Sequence, residues 1–173
     1  MFENQTIEYN DLPKYQKVAL QPLHPQYKKV VSLDAMITLI VGIAVSVTIY
    51  FIVDDTSVYT YFYIPFIVAL ALIVYSLLAY KKKSYAFRQH DVLYQSGLLS
   101  TTTSIIPYLR LQHVVVKQGW YAKRLNLAKL QLHTAANDHV DITIPGLTLE
   151  EANHWKEYVL NRIQELEDET NTN

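Results

Sequence analysis

The 173-residue chain has no cysteine and only four glycines. Without cysteine there are no disulfides, no thiolate zinc sites and no cysteine nucleophile. The glycines, Gly42, Gly97, Gly119 and Gly146, lie too far apart for a phosphate-cradling loop, so GxGxxG and Walker motifs are absent. Charged residues amount to 18%, below the roughly 25% of soluble domains. The net charge is −1, which offers no overall attraction for nucleic acid. No GxSxG, HExxH or HxxxH spacing occurs among the residues. Nothing in the chain forms a catalytic, cofactor-binding or metal constellation, and it reads as a non-enzyme.

What the chain does have is two long charge-free runs. Ala35–Val53 is 19 residues without a charge and Thr56–Tyr80 is 25. A bilayer core of about 30 Å needs roughly 20 apolar helical residues. The runs predict a transmembrane hairpin over 30–80, with spans at about 30–53 and 56–80 and a turn at Asp54 and Asp55. Lys28 and Lys29 precede the first span, and Lys81, Lys82 and Lys83 follow the second. Positive flanks stay in the cytoplasm, which places both termini inside. The first span starts late for a signal peptide and reads as an uncleaved anchor. Antiparallel packing about residue 55 puts Gly42 opposite Ala69 and Ser46 opposite Pro65, a small-residue contact that admits close approach. Asp34, at the edge of the first span, is placed near Lys29, Ser76 and Tyr80, within reach of water or a lysine.

Residues 1–29 contain Pro13, Pro22 and Pro25 and read as a solvated cytoplasmic tail. The alternative is a short amphipathic piece at the headgroups. Residues 84–173 form a small domain. Period-two alternation marks strands at 128–134 and 139–144, paired so that Leu132 faces Ile142 and His133 faces Asp141. Earlier strands are expected at 84–90, 92–96, 98–106 and 111–118, and 119–126 is a connection rich in aromatic and basic residues. Thr148 and Glu151 have capping-box spacing. After them, Leu149, Ala152, Trp155, Val159, Ile163 and Leu166 form one apolar helical stripe. The acidic run from Glu165 to Glu169 opposes the macrodipole at that helix's end and is expected to fray it. The fold class is α+β: a transmembrane helical hairpin, then a bent antiparallel sheet or small barrel capped by one C-terminal helix.

The stretch IPYLRLQHVVVKQGWYAKRLNLAKLQLHTAA, Ile106–Ala136, resembles bacterial PH-like membrane proteins of the YdbS type. IPGLTLEEA, Ile144–Ala152, is similar to the strand-to-helix junction of that family, and two spans followed by one such domain is its layout. The resemblance covers about 25–165. Where the family carries glycine in the RLNLA segment, this chain has Asn126, the residue that best replaces glycine in a left-handed turn. The resemblance implies a PH-like fold on the cytoplasmic face of a bacterial plasma membrane. It implies no catalytic activity, and a larger membrane protein with several PH-like domains as companion.

Charge is unevenly spread. Residues 81–130 carry nine Lys or Arg against one acid, a net +8, and residues 131–173 carry a net −7. A basic half tethered to a membrane is drawn to its anionic headgroups. Trp120 and Tyr121 beside Lys123 and Arg124 add an interfacial anchor. Arg110, Gln112, Trp120, Tyr121, Lys123 and Arg124 are the candidate interaction surface, for lipid headgroups, a partner membrane protein or a second copy of the chain. Lys28, Lys29 and Lys81–Lys83 are the membrane flanks. A subunit of a transport or export complex is the competing reading. His113 and His133, on separate strands, can approach, but without cysteine or a carboxylate cluster they do not argue for a metal.

Overall fold

The computed structural model describes residues 18–52, 59–134 and 142–171. Two long helices, α1 (Tyr27–Ile52) and α2 (Tyr59–Ala79), lie against each other. At 26 and 21 residues they extend about 39 and 31 Å, enough to cross a bilayer core. Their outer surfaces are apolar on every side, with Met36, Ile40, Val41, Ile67, Leu70 and Val74 all exposed. A helix that is hydrophobic all round requires an apolar solvent. The turn with Asp54 and Asp55 lies outside the described residues.

The hairpin closes on small side chains, as its spacing requires. A Cβ added to Gly42 would lie 2.7 Å from the Ala69 Cβ and 3.4 Å from the Pro65 carbonyl oxygen. Ser46 is buried one turn on, and its hydroxyl donates to the Gly42 carbonyl at 2.9 Å. That bond satisfies the hydroxyl within its own helix, so it needs no partner across the interface.

The remaining chain forms a domain of two antiparallel sheets. Among the described residues one sheet has four strands, in the order β1 (Gln21–Pro22), β2 (Ser84–Phe87), β3 (Asp91–Ser96), β4 (Thr102–Pro107). The other has β5 (Leu111–Lys117), β6 (Leu127–Thr134) and β7 (Ile142–Thr148). A five-residue helix, α3 (Trp120–Arg124), links β5 to β6, and α4 (Leu149–Asn171) closes the core. The sheets do not join into a closed barrel among these residues. The core gathers Val92, Tyr108, Leu130, Leu132, Ile144 and Val159, each fully enclosed.

Several expectations are met. Leu132 pairs with Ile142, while Asp141, the expected partner of His133, lies outside the described residues. The β6–β7 register then shifts by one, with Pro145 and Gly146 of β7 opposing the single Lys129 of β6, so that Ile144 and Leu147, three residues apart, both reach the core. The capping box forms in both directions: the Thr148 amide donates to Glu151 Oε2 at 2.8 Å, and the Glu151 amide to Thr148 Oγ1 at 3.1 Å. Asn126 is left-handed, with φ 54°.

Other expectations need correction. The second and third strands do not nearly abut at Gly97. Gly97 has φ +114°, and a Cβ there would lie 1.9 Å from the Ser100 carbonyl oxygen, so residues 97–101 fold into a tight turn and β4 starts at Thr102. β2 stops at Phe87 because Arg88 turns the chain, its amide donating to the Asp91 carbonyl at 2.9 Å and its guanidinium pairing with the Asp91 carboxylate. The acidic end of α4 stays helical to Asn171, since Leu166 is packed into the core and Arg162 pairs with Glu165.

The largest correction concerns the N-terminal tail. Residues 18–26 are not a solvated extension: Gln21 and Pro22 pair with Tyr85 and Ser84 as an edge strand, and Leu23 is buried in the domain core. The His24 amide donates to the Gly146 carbonyl at 3.0 Å. The domain therefore begins before the hairpin and resumes after it, and both ends of the hairpin are built into it.

Candidate functional site

Each junction between hairpin and domain is short. α2 runs through one 3-10 turn, Tyr80–Lys82, and Lys83 leads directly into β2. On the other side the first residue of α1, Tyr27, sits on Gly146, whose absent Cβ would lie 2.7 Å from the Tyr27 Cγ. With φ +68°, Gly146 is held in a backbone conformation that also disfavours a side chain. Two such fastenings set which edge of the domain lies beside the first span.

The edge beside the first span is the β5–α3–β6 end. Gln118 Nε2 donates to the Leu127 carbonyl at 3.0 Å, clasping the two strands at the base of α3. The Lys123 amide donates to the Gly119 carbonyl at 2.9 Å, and left-handed Asn126 returns the chain into β6. α3 is thereby laid against the start of the first span. Tyr121 shares a groove of about 360 Å³ with Lys28, Lys29, Ser32, Leu33 and Met36. Met36 is already within the charge-free run. Trp120 packs edge-on against Tyr121, with ring centroids 5.7 Å apart, yet remains 71% exposed. Lys123 and Arg124 are exposed on the last turn of the same helix. An amphipathic ring with two cations, level with the first turns of a span, is the composition of a membrane interface.

Not all of the candidate surface gathers here. Arg110 and Gln112 lie at the opposite end of β5, about 20 Å of extended chain from Lys117. Both are exposed, next to Leu109, which is 56% exposed. The six candidates thus divide into a proximal group, Trp120, Tyr121, Lys123 and Arg124, and a distal pair. The flanking residues Lys28, Lys29, Lys81 and Lys82 are exposed where the two helices leave the domain, and Lys83 is half-buried.

The comparisons with known proteins agree with this layout. The family model described as Bacterial PH domain matches residues 36–163. The chain belongs to the bacterial PH domain family. It is 37% identical over 75 residues to the UPF0699 transmembrane protein YdbS of Bacillus subtilis (strain 168), a match covering 43% of this chain and 45% of the relative. The match thus spans under half of that relative's length. No solved structure matches the chain. Here the family's domain is a membrane protein's domain, and the matched residues run through both spans as well as the sheets. The family is one of PH-domain transmembrane proteins and not a known enzyme family.

Two features of the site were hidden in the sequence. α3 is too short for a helical period to show, and its signal was only an unusual density of aromatic and basic residues. Asp34 is the other. It lines a cavity of about 200 Å³ between α1 and the domain, which Lys117 and Lys129 also line. His113 and His133 do meet, as direct cross-strand partners on β5 and β6. Among the described residues no three metal-ligating side chains converge.

Proposed function

We propose that this protein is a membrane-anchored interaction module. Its bacterial PH domain is held at the cytoplasmic surface of the plasma membrane by the two-span hairpin, and the α3 edge lies among anionic headgroups. Both termini are cytoplasmic, as the lysines at both junctions favour. The observation that carries this reading is the position of Tyr121 beside Leu33 and Met36 of the first span. It brings the exposed Trp120, Lys123 and Arg124 to the depth at which a charge-free helix begins. Each cation near an anionic leaflet contributes about 1 kcal/mol.

The test uses the full chain in vesicles, and the absence of cysteine makes it direct. A single cysteine at Lys123 carries an environment-sensitive fluorophore, and one at Gln89, in the turn between β2 and β3, serves as reference. The reading expects a blue-shifted probe at position 123, more so in anionic than in neutral vesicles, and a water-like probe at 89. Equal, water-like emission from both sites overturns it.

The distal pair supports a second role for the same module. Leu109 and Ile105 are exposed apolar residues close in sequence to Arg110 and Gln112. That face suits a protein partner, such as a second membrane protein with PH-like domains. Leu109→Glu together with Arg110→Glu is expected to abolish co-purification of a partner after mild solubilisation, without displacing the Lys123 probe.

A further inference from the structure

Lys117 ends β5 and Lys129 lies near the start of β6, and the two are direct cross-strand partners. Opposed residues of an antiparallel pair project to the same face with Cβ atoms about 4.5–5.5 Å apart, and like charges there repel. The ion pairs among the described residues are Arg88–Asp91 and Arg162–Glu165, so neither lysine is neutralised by a direct carboxylate contact. Both instead line the cavity of about 200 Å³ whose other wall is the first two turns of α1, with Tyr27, Val30 and Asp34. Asp34 stands about 10 Å along the helix from Tyr27, just before the charge-free run begins at Ala35. Two ammonium groups and one carboxylate leave the cleft with a single positive charge.

We infer that this cleft holds the headgroup of a membrane phospholipid: a phosphodiester whose single negative charge is shared by Lys117 and Lys129, and whose headgroup donates a hydrogen bond to Asp34 from a hydroxyl or ammonium group. This inference rests on the reading that the α3 edge faces the bilayer, and names the ligand of that edge. The charge balance selects the ligand. A phosphodiester with a hydroxyl headgroup neutralises the cleft and one with an ammonium headgroup leaves it singly positive, whereas a free phosphate dianion would leave an excess negative charge beside Asp34. The position selects the source. The cleft lies against the first turns of a span, where lipid headgroups are the abundant phosphodiesters. Asp34 thereby has a task that neither an ion pathway nor a surface salt bridge gives it: it reads the headgroup beyond the phosphate.

The experiment is native mass spectrometry of the full chain released from mild detergent. It is titrated separately with phosphatidylglycerol, phosphatidylethanolamine and phosphatidylcholine, with glycerol 3-phosphate and inorganic phosphate as soluble competitors. One retained phosphatidylglycerol or phosphatidylethanolamine per chain is expected. Phosphatidylcholine, which has no donor for Asp34, should bind at least fivefold more weakly, and the soluble phosphates should not compete. K117Q/K129Q is expected to weaken retention at least tenfold, K117R/K129R to retain it, and D34N to erase the discrimination against phosphatidylcholine. Retention unchanged in K117Q/K129Q, or equal for all three lipids in the unmodified chain, overturns the inference. Displacement by soluble phosphate overturns the lipid source. The Lys123 probe separates the two levels. If it remains at headgroup depth while the lysine variants change nothing, the cleft alone is refuted. If it sits in water, the membrane-facing reading fails with it.

Discussion

The ring of Tyr27 rests on the bare Cα of Gly146: a Cβ at position 146 would come within 2.7 Å of Tyr27 Cγ and 2.8 Å of its Cβ. This contact joins the first residue of the first span to the last strand of the domain, across most of the sequence. It converts a hairpin and a domain that happen to be consecutive into one body, and it underlies the first prediction.

Gly146→Ala should unseat α1 from the domain. The variant meets both the left-handed backbone at φ +68° and the Tyr27 ring. The expected cost is about 2 kcal/mol. It should appear as a lowered thermal midpoint of the domain, followed by tryptophan fluorescence in detergent, with the far-ultraviolet helical signal of the hairpin retained.

Leu23 precedes the hairpin but is 7% exposed within the domain core. Leu23→Ala is expected to destabilise the domain by about 2–3 kcal/mol. Limited proteolysis of the purified variant should cleave within 84–134 under conditions that leave the parent chain intact. A truly solvated tail would give no change.

In the hairpin, Gly42→Ala places a methyl 2.7 Å from the Ala69 Cβ. Separation of the helices should follow, with a measurable loss of thermal stability in detergent. Adding Ala69→Gly to the same chain removes the opposing methyl and should restore most of the loss. Non-additivity of that kind reports direct contact.

Tyr108 supplies a pH dependence. It is fully enclosed, and its hydroxyl donates to the Arg88 carbonyl at 2.7 Å. Burial, with the neighbouring Tyr158 and Asp91 adding to it, raises its pKa well above the ordinary 10.0. The folded state therefore holds this proton more tightly than the unfolded one. The resulting stability is complete below pH 10 and declines as pH rises beyond it. Tyr94, pushed up to about 12 mainly by burial, acts in the same direction. Chemical denaturation between pH 8 and 11.5 should show this decline. Tyr108→Phe should cost about 1 kcal/mol at neutral pH and flatten the alkaline fall.

Much of the architecture was legible because it is written in period and length. Two charge-free runs of 19 and 25 residues have the length of spans. Leu130, Leu132, Ile142 and Ile144 alternate because one face of each strand is buried, and Thr148 with Glu151 announces a helix start through local hydrogen bonds alone. Gly42 opposite Ala69 followed from hairpin geometry, which constrains depth. The misjudged elements were those whose reason lies at a distance. The polar, proline-bearing tail gives no sign that Leu23 will enter a core assembled from residues beyond the hairpin. Arg110 and Lys123 are neighbours in sequence, but a strand carries them to opposite ends of the domain.

By itself, then, the sequence determined the two spans, the strand-and-helix order of the domain, its capping box and the family it resembles. These depend on local composition and on periodicities that each segment carries alone. Only the tertiary structure decided that the domain encloses both ends of the hairpin, that α3 lies beside the first span, and that Asp34 shares a cleft with Lys117 and Lys129. Those facts depend on contacts between residues about 60 to 120 positions apart, such as Gln21 with Tyr85 and Tyr27 with Gly146. No local pattern encodes them, because the free energy that fixes them is released only when the distant surfaces meet.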